Sequence, residues 1–271
     1  MKKHRNTLLL ITLLACSYSH ANNEPGLIEY QAAIEIREKI SLLLEQSNET
    51  SSDGETSNEA ETIYPSLLEY APQYVEQLKA SSDLGFPPAE FLYAQTFEYR
   101  AASTAEDRAF NKKKACKLLD QAAAHGLLAA SVGKISYCST VIEGGDFTAM
   151  IKAVDEAHRQ LAEALKKPDG YALYYPLKAF VFPSCFERAV PISDMNALNH
   201  MSPLQRIQAL SPPSMTLEDT QAQAYFLLAI HEQLSNQSIT EEHIVQAENL
   251  GCSSALFLAI QDSLRKQKPS R

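Results

Sequence analysis

Apolar residues recur at helical spacing through Ala115, Leu118, Leu119, Ala122 and Ala123, and Gly126 then interrupts them. Four residues later Ala130 stands early in a second apolar run. The spacing predicts two helices reversing about Gly126, with small side chains letting their backbones approach closely. The same order of helix end, glycine, three residues and alanine returns at Gly85/Ala89 and Gly251/Ala255, with a weaker version at Gly170/Ala172. Gly85 and Gly126 are 41 residues apart, and Gly126 and Gly251 are 125 apart, near three such periods. One helical hairpin cannot cover its own apolar faces, so the recurrence predicts stacked neighbours.

The remaining segments fall around these junctions. Leu27, Ile28, Ala32, Ile34, Ile36, Ile40, Leu43 and Leu44 give residues 22–47 a broad apolar face, which predicts an N-terminal capping helix. Residues 48–60 are acidic, polar and almost free of large apolar side chains, which predicts a flexible linker. Residues 61–271 form the repeat region. Its first stretch carries Ile63, Leu67, Tyr74 and Leu78 but also Pro65 and Pro72, so one kinked helix or two short ones are expected. Residues 89–100 read as a helix, 101–113 as a loop or extension, and Lys112, Lys113 and Lys114 as a solvated helix start. Helices are also expected over 127–139, 147–166, 218–234, 240–250 and 255–264. From residue 168 to 213 the pattern fails, broken by Pro176, Pro183, Pro191, Pro203, Pro212 and Pro213, leaving helical pieces near 171–182 and 204–209. A long irregular span of this kind is often functional.

The register K-A-x-x-L-L-x-Q-A-A-x-x-G at residues 114–126 resembles the second helix of a Sel1-like repeat, a relative of the tetratricopeptide repeat. Leu118 and Leu119 stand at its aromatic pair. Ala222, Tyr225, Phe226 and Ala229 match the aromatic pattern more closely. The resemblance implies an all-α fold: an α-α superhelix, or solenoid, of degenerate Sel1-like helix pairs with irregular insertions. It also implies a protein-binding scaffold whose concave face is lined by the first helix of each pair. On that reading Glu90, Gln95, Glu98, Ser131, Lys134 and Tyr137 are the partner-facing residues.

Residues 1–21 have the organisation of an export signal. Lys2, Lys3 and Arg5 precede the apolar run 8–15, which is too short for the ~20 residues of a membrane span. Two cleavage readings stand side by side. Leu13-Leu14-Ala15-Cys16 resembles a lipobox, which would make Cys16 a lipidated N-terminus; Ser19-His20-Ala21 suits ordinary signal peptidase. Either places the chain in the periplasm of a Gram-negative bacterium, soluble or anchored to the outer membrane by a lipid on Cys16.

Export changes how the cysteines read. Cys116, Cys138, Cys185 and Cys252 remain after either cleavage, an even number that suits disulfides in an oxidising compartment. Cys116 lies 10 residues before Gly126 and Cys138 lies 12 after it, so an antiparallel hairpin brings them level. Pairing of Cys185 with Cys252 follows by elimination. Buried free thiols are the alternative.

Charge excludes some partners. The chain has 24 basic and 33 acidic residues, a net of −9. Loss of Lys2, Lys3 and Arg5 with the signal leaves 21 basic residues and a net of −12. Such a surface argues against nucleic acid, and leaves the membrane only through the N-terminal lipid. Motifs for a nucleophilic serine, a phosphate loop, a dinucleotide or a zinc-binding helix are absent. His231-Glu232 and Glu242-His243 read as surface pairs rather than metal ligands. The chain is therefore expected to be no enzyme and to take no cofactor or metal. The reading is a scaffold or adaptor that holds another exported or envelope protein. The alternative implied by the resemblance is an immunity protein that neutralises a secreted antibacterial phospholipase. A glycan hydrolase would need a carboxylate pair or a metal in a cleft, which the sequence does not display.

Overall fold

The structure, a computed structural model, describes residues 24–50, 59–98, 100–138, 147–186, 211–235, 241–254 and 256–261. The expected signal region with Cys16, the helical piece expected at 204–209, Ala255 and most of the expected linker lie outside the described residues. The described chain is mostly helical and forms two compact units, Met1–Tyr93 and Ala94–Arg271.

In the first unit α1 (Leu27–Thr50) packs against α2 (Glu59–Asp83). Both helices outrun the expected boundaries, so the span between them is shorter than the linker predicted over 48–60. Pro65 and Pro72 lie inside α2 and do not divide it. Both are exposed, so backbone carbonyls released by the missing N–H groups can turn to water. Leu27, Tyr30, Ala33 and Leu78 are buried, whereas Ile28 of the predicted apolar face remains exposed. Gly26 adopts a φ of 85°, and a Cβ there would stand 2.7 Å from the Ser81 carbonyl oxygen and 2.9 Å from Phe86 Cβ. Only glycine allows that approach. Ser81 Oγ in turn donates to the Gly26 carbonyl at 2.6 Å.

The next helix, α3 (Pro87–Glu98), ends in the second unit. It is followed by α4 (Ala105–Ala124), a short α5 (Leu128–Gly133) that widens into a π turn at Lys134–Cys138, and α6 (Phe147–Leu165). α4 begins a full two turns before the expected start. Thr104 and Asp107 form a capping box, each side chain bonding the other's backbone N–H. The residues read as a loop are thus mostly helix, and Lys112, Lys113 and Lys114 lie within α4.

Beyond α6 the irregular span holds one 3₁₀ turn (Ala172–Tyr174) and strand β1 (Leu177–Lys178). β1 pairs antiparallel with β2 (Ser214–Met215), Leu177 opposite Met215 and Lys178 opposite Ser214. This ribbon replaces the helix expected near 171–182. Then come α7 (Leu217–Leu234), α8 (Glu241–Asn249) and α9, residues 256–261. Thr216 and Asp219 cap α7 as Thr104 and Asp107 cap α4. α7 is buried on two sides. Ala224 and Leu228 join Leu128, Val132, Ala157 and Leu161, while Phe226 and Ala229 join Ile244, Ala247, Phe257 and Ile260.

The three glycine junctions share one backbone geometry. At Gly85, Gly126 and Gly251 φ is 83°, 98° and 91°. The glycine N–H donates three residues back, to Ser82, Ala123 and Glu248 respectively. The next N–H donates five residues back: Phe86 to Ser81, Leu127 to Ala122 and Cys252 to Ala247. This is the Schellman ending, and the apolar residue it requires after the glycine is buried each time. Gly170 does not share the left-handed φ, so the weaker fourth junction is not one of the set.

Candidate functional site

Small side chains on α4 and α6 leave a groove of about 670 Å³ in the second unit. Ala123, Ala124, Ala157 and Ala164 contribute apolar surface, and Gly126 and Gly170 add none that projects. Lys134, on the π turn, crosses one side. Its Nζ lies 2.6 Å from Asp120 Oδ1 of α4 and donates to Gln160 Oε1 of α6 at 3.1 Å. One lysine thereby joins three successive elements. Gln160 Nε2 donates onward to Glu156 at 2.8 Å, and Arg159 clasps the same carboxylate with Nε at 3.0 Å and Nη2 at 2.6 Å. Arg159 and then Gln160 hold the Glu156 carboxyl below the usual range. The rim therefore carries both signs of charge over an apolar floor, an arrangement suited to a polypeptide segment with mixed side chains.

A second cluster gathers around Glu98. Gln95 Nε2 donates to the Lys178 carbonyl at 2.6 Å, tying the end of α3 to β1. The Tyr137 ring packs on Phe180, centroids 4.7 Å apart, and Lys112 Nζ lies 5.2 Å from the Tyr137 centroid. Burial pushes the Glu98 carboxyl up to about 7, although Lys112 and Lys178 draw it down. Its Oε2 is enclosed, with no hydrogen-bond partner among the described residues. Burial also lowers Lys178, against the pull of Glu98, and raises Tyr137, with Glu98 adding to the effect.

The six residues expected to face a partner are thus divided. Ser131 and Lys134 line the groove, Gln95, Glu98 and Tyr137 belong to the Glu98 cluster, and Glu90 lies in the first unit. Glu90, Gln95 and Ser131 are only 2%, 6% and 7% exposed, which corrects the expectation that they present themselves outward. The cause is enclosure of the short first helices; every residue of α5 is buried. Glu98, Lys134 and Tyr137 are half-buried.

Both cysteine pairs are bonded. Cys116 joins Cys138 with Cα atoms 5.7 Å apart, across the hairpin that turns at Gly126. Cys185 joins Cys252 with Cα atoms 4.9 Å apart, stapling the irregular span to the last glycine junction. Ser253 and Ser254 donate their N–H groups to the Cys185 carbonyl, each at 3.0 Å.

Other organising residues gave little sequence signal. Leu127, the N-cap of α5, has no side-chain oxygen. Asp169 Oδ2 accepts the Leu128 N–H at 3.0 Å instead, and Tyr175 Oη accepts the Ala129 N–H at 3.0 Å while donating to Asp169 at 2.8 Å. The helix start is capped from the irregular span, 41 residues away. Burial, with Asp169 beside it, keeps the Tyr175 phenol protonated well above its ordinary range. Gln223, 2% exposed, accepts the Cys185 N–H at 2.8 Å and donates to Ser184 at 3.0 Å. His231, read as a surface residue, bonds Asp155 at 2.8 Å, and His243 lies 3.1 Å from Glu232.

Among the described residues no group of three or more His, Cys, Asp or Glu is arranged to hold a metal, and no helix is long and apolar enough to cross a membrane. In comparisons with known proteins, no family model, curated protein or solved structure matches the chain.

Proposed function

We propose that this chain is a non-catalytic protein-binding scaffold of the bacterial periplasm, built of hairpins stacked as in Sel1-like repeats. Its partner is another exported or envelope protein, and the groove between α4, the π turn and α6 receives a segment of it. The groove itself carries this reading: an apolar floor of alanines under a rim in which Lys134 ties Asp120 to Gln160. Two disulfides support an oxidising compartment. The shared glycine junctions support a repeat origin.

The test uses tagged protein spanning residues 22–271 and envelope extract, with bound proteins identified by mass spectrometry. The recovered partner is then titrated against the parent and against Ala164→Arg, which fills the groove from its half-buried edge. The expected result is at least tenfold weaker binding by Ala164→Arg, with the helical circular dichroism spectrum retained. Equal affinities would remove the groove from the reading. A captured phospholipase that loses activity in the complex would establish the alternative, an immunity protein. A resident envelope protein would establish the adaptor.

A further inference from the structure

Two imidazoles from different helices lie face to face in the second unit. His158 of α6 and His231 of α7 have ring centroids 3.9 Å apart and planes inclined by only 14°. His158 is 8% exposed, and its Nδ1 donates to the Val154 carbonyl at 2.7 Å, which leaves Nε2 as the nitrogen that can gain a proton. His231 Nε2 lies 2.8 Å from Asp155 Oδ1, with Ser235 Oγ at 3.5 Å. The ionisable groups facing His158 are Asp155 on its own helix and His231 on α7. From α5 and the π turn, Leu128, Val132 and Ile135 share a core cluster with Ala157 and Leu161 of α6 and with Ala224 and Leu228 of α7, and Lys134 is engaged by Asp120 and Gln160.

Of the two rings, His231 has a carboxylate within hydrogen-bonding distance, Asp155, and His158 is held by a backbone carbonyl. Charging both would set two like charges face to face in a part-buried contact. We infer that the His158–His231 stack makes the packing of α6 on α7 pH-sensitive, closed while the pair carries at most one proton and loosened when it carries two. Burial, the leading effect, and His231 both hold His158 below the ordinary imidazole value, against the opposing pull of its bond to Val154 and of Asp155. In the unfolded chain His158 titrates near the ordinary value of about 6.5. As pH falls below that value the unfolded state gains a proton before the folded one does, so this contact loses stability on acidification. On the protein-binding reading above, the same step alters the wall that α6 gives the groove.

Histidine ring signals of the full chain, followed by NMR from pH 7.5 to 4.5, test the pair without any partner and so independently of that reading. The expected result is two separate steps, with the His158 step the later and below the ordinary imidazole value. Across the second step, amide exchange in α6 near His158 should accelerate tenfold beyond its intrinsic pH dependence, while α4 stays protected. In His231→Gln the His158 step should move to higher pH and the acid loosening should shrink, leaving the part that burial alone imposes. Both rings titrating together at the ordinary value, or exchange unchanged through the second step, would overturn the inference. So would a His158 step that stays in place in the variant.

Discussion

Glu98 makes the pH dependence of this fold run partly opposite to ordinary acid denaturation. Its carboxyl is lifted by burial to about 7 in the folded chain, against 4.5 for an unperturbed glutamate. Between those values the folded state holds more protons than the unfolded state. Stability from this residue is therefore fully present below about pH 4.5 and is lost as pH rises toward 7. Glu98→Gln keeps the shape of the side chain and removes the ionisation. It should be more stable than the parent at pH 8 by about 1 kcal/mol, after allowing for nearby Lys112 and Lys178 and for water that still reaches the group. At pH 4.5 the two should match. Urea unfolding at both pH values measures this, and identical curves at pH 8 would mean that the carboxylate pays no burial penalty. The place of Glu98 near the end of a helix was legible in the sequence; its electrostatic state was not. That state depends on burial, on Lys178, 80 residues away, and on Lys112, whose ammonium stands over the Tyr137 ring.

At the scale of elements, the glycine junctions decide where each hairpin turns, and they predict a graded response to a methyl group. A Cβ at Gly85, Gly126 or Gly251 meets no atom within 4 Å, so alanine there suffers only from the left-handed φ. That cost is about 1–2 kcal/mol. Gly26→Ala adds the close Ser81 and Phe86 contacts and should cost more. Gly170, open and outside the left-handed region, should tolerate alanine within about 0.5 kcal/mol. Thermal or urea unfolding of the five variants gives the order, and a costly Gly170→Ala would dissolve the distinction between the three junctions and the fourth. These turns were readable because glycine is the residue that a Schellman ending needs and because the pattern is local. The start of α4 was readable too, since Thr104 and Asp107 stand three apart before the helix, but the lysine run drew the boundary to the wrong place. The cap of α5 could not be read locally. Leu127 offers no oxygen, and Asp169 and Tyr175 reach it only through tertiary structure.

For the whole molecule, the covalent links are unevenly distributed, and this bears on how it unfolds. Both disulfides lie in the unit Ala94–Arg271, while the described residues of the other unit contain none. The Cys116–Cys138 pairing follows from a hairpin with its turn at Gly126. The Cys185–Cys252 pairing rests on the irregular span folding back onto the last junction, which no periodicity encodes; Gln223 and the carbonyl of Cys185 secure it by hydrogen bonds. Their sequence separations are 22 and 67. On loop-closure entropy the shorter link contributes about 3 kcal/mol and the longer about 4 kcal/mol. Together they rival the whole stability of an ordinary domain, about 5–15 kcal/mol. Serine at both members of a pair should lower stability by roughly these amounts, with Cys185/Cys252 the more damaging. Reduction of the parent should strip amide protection from α7, α8 and α9 while α1 and α2 keep theirs. Hydrogen exchange under reducing and oxidising conditions checks this directly. If α1 and α2 lose protection in step with α7, the two units unfold as one cooperative body, and the covalent links of the second unit stabilise both.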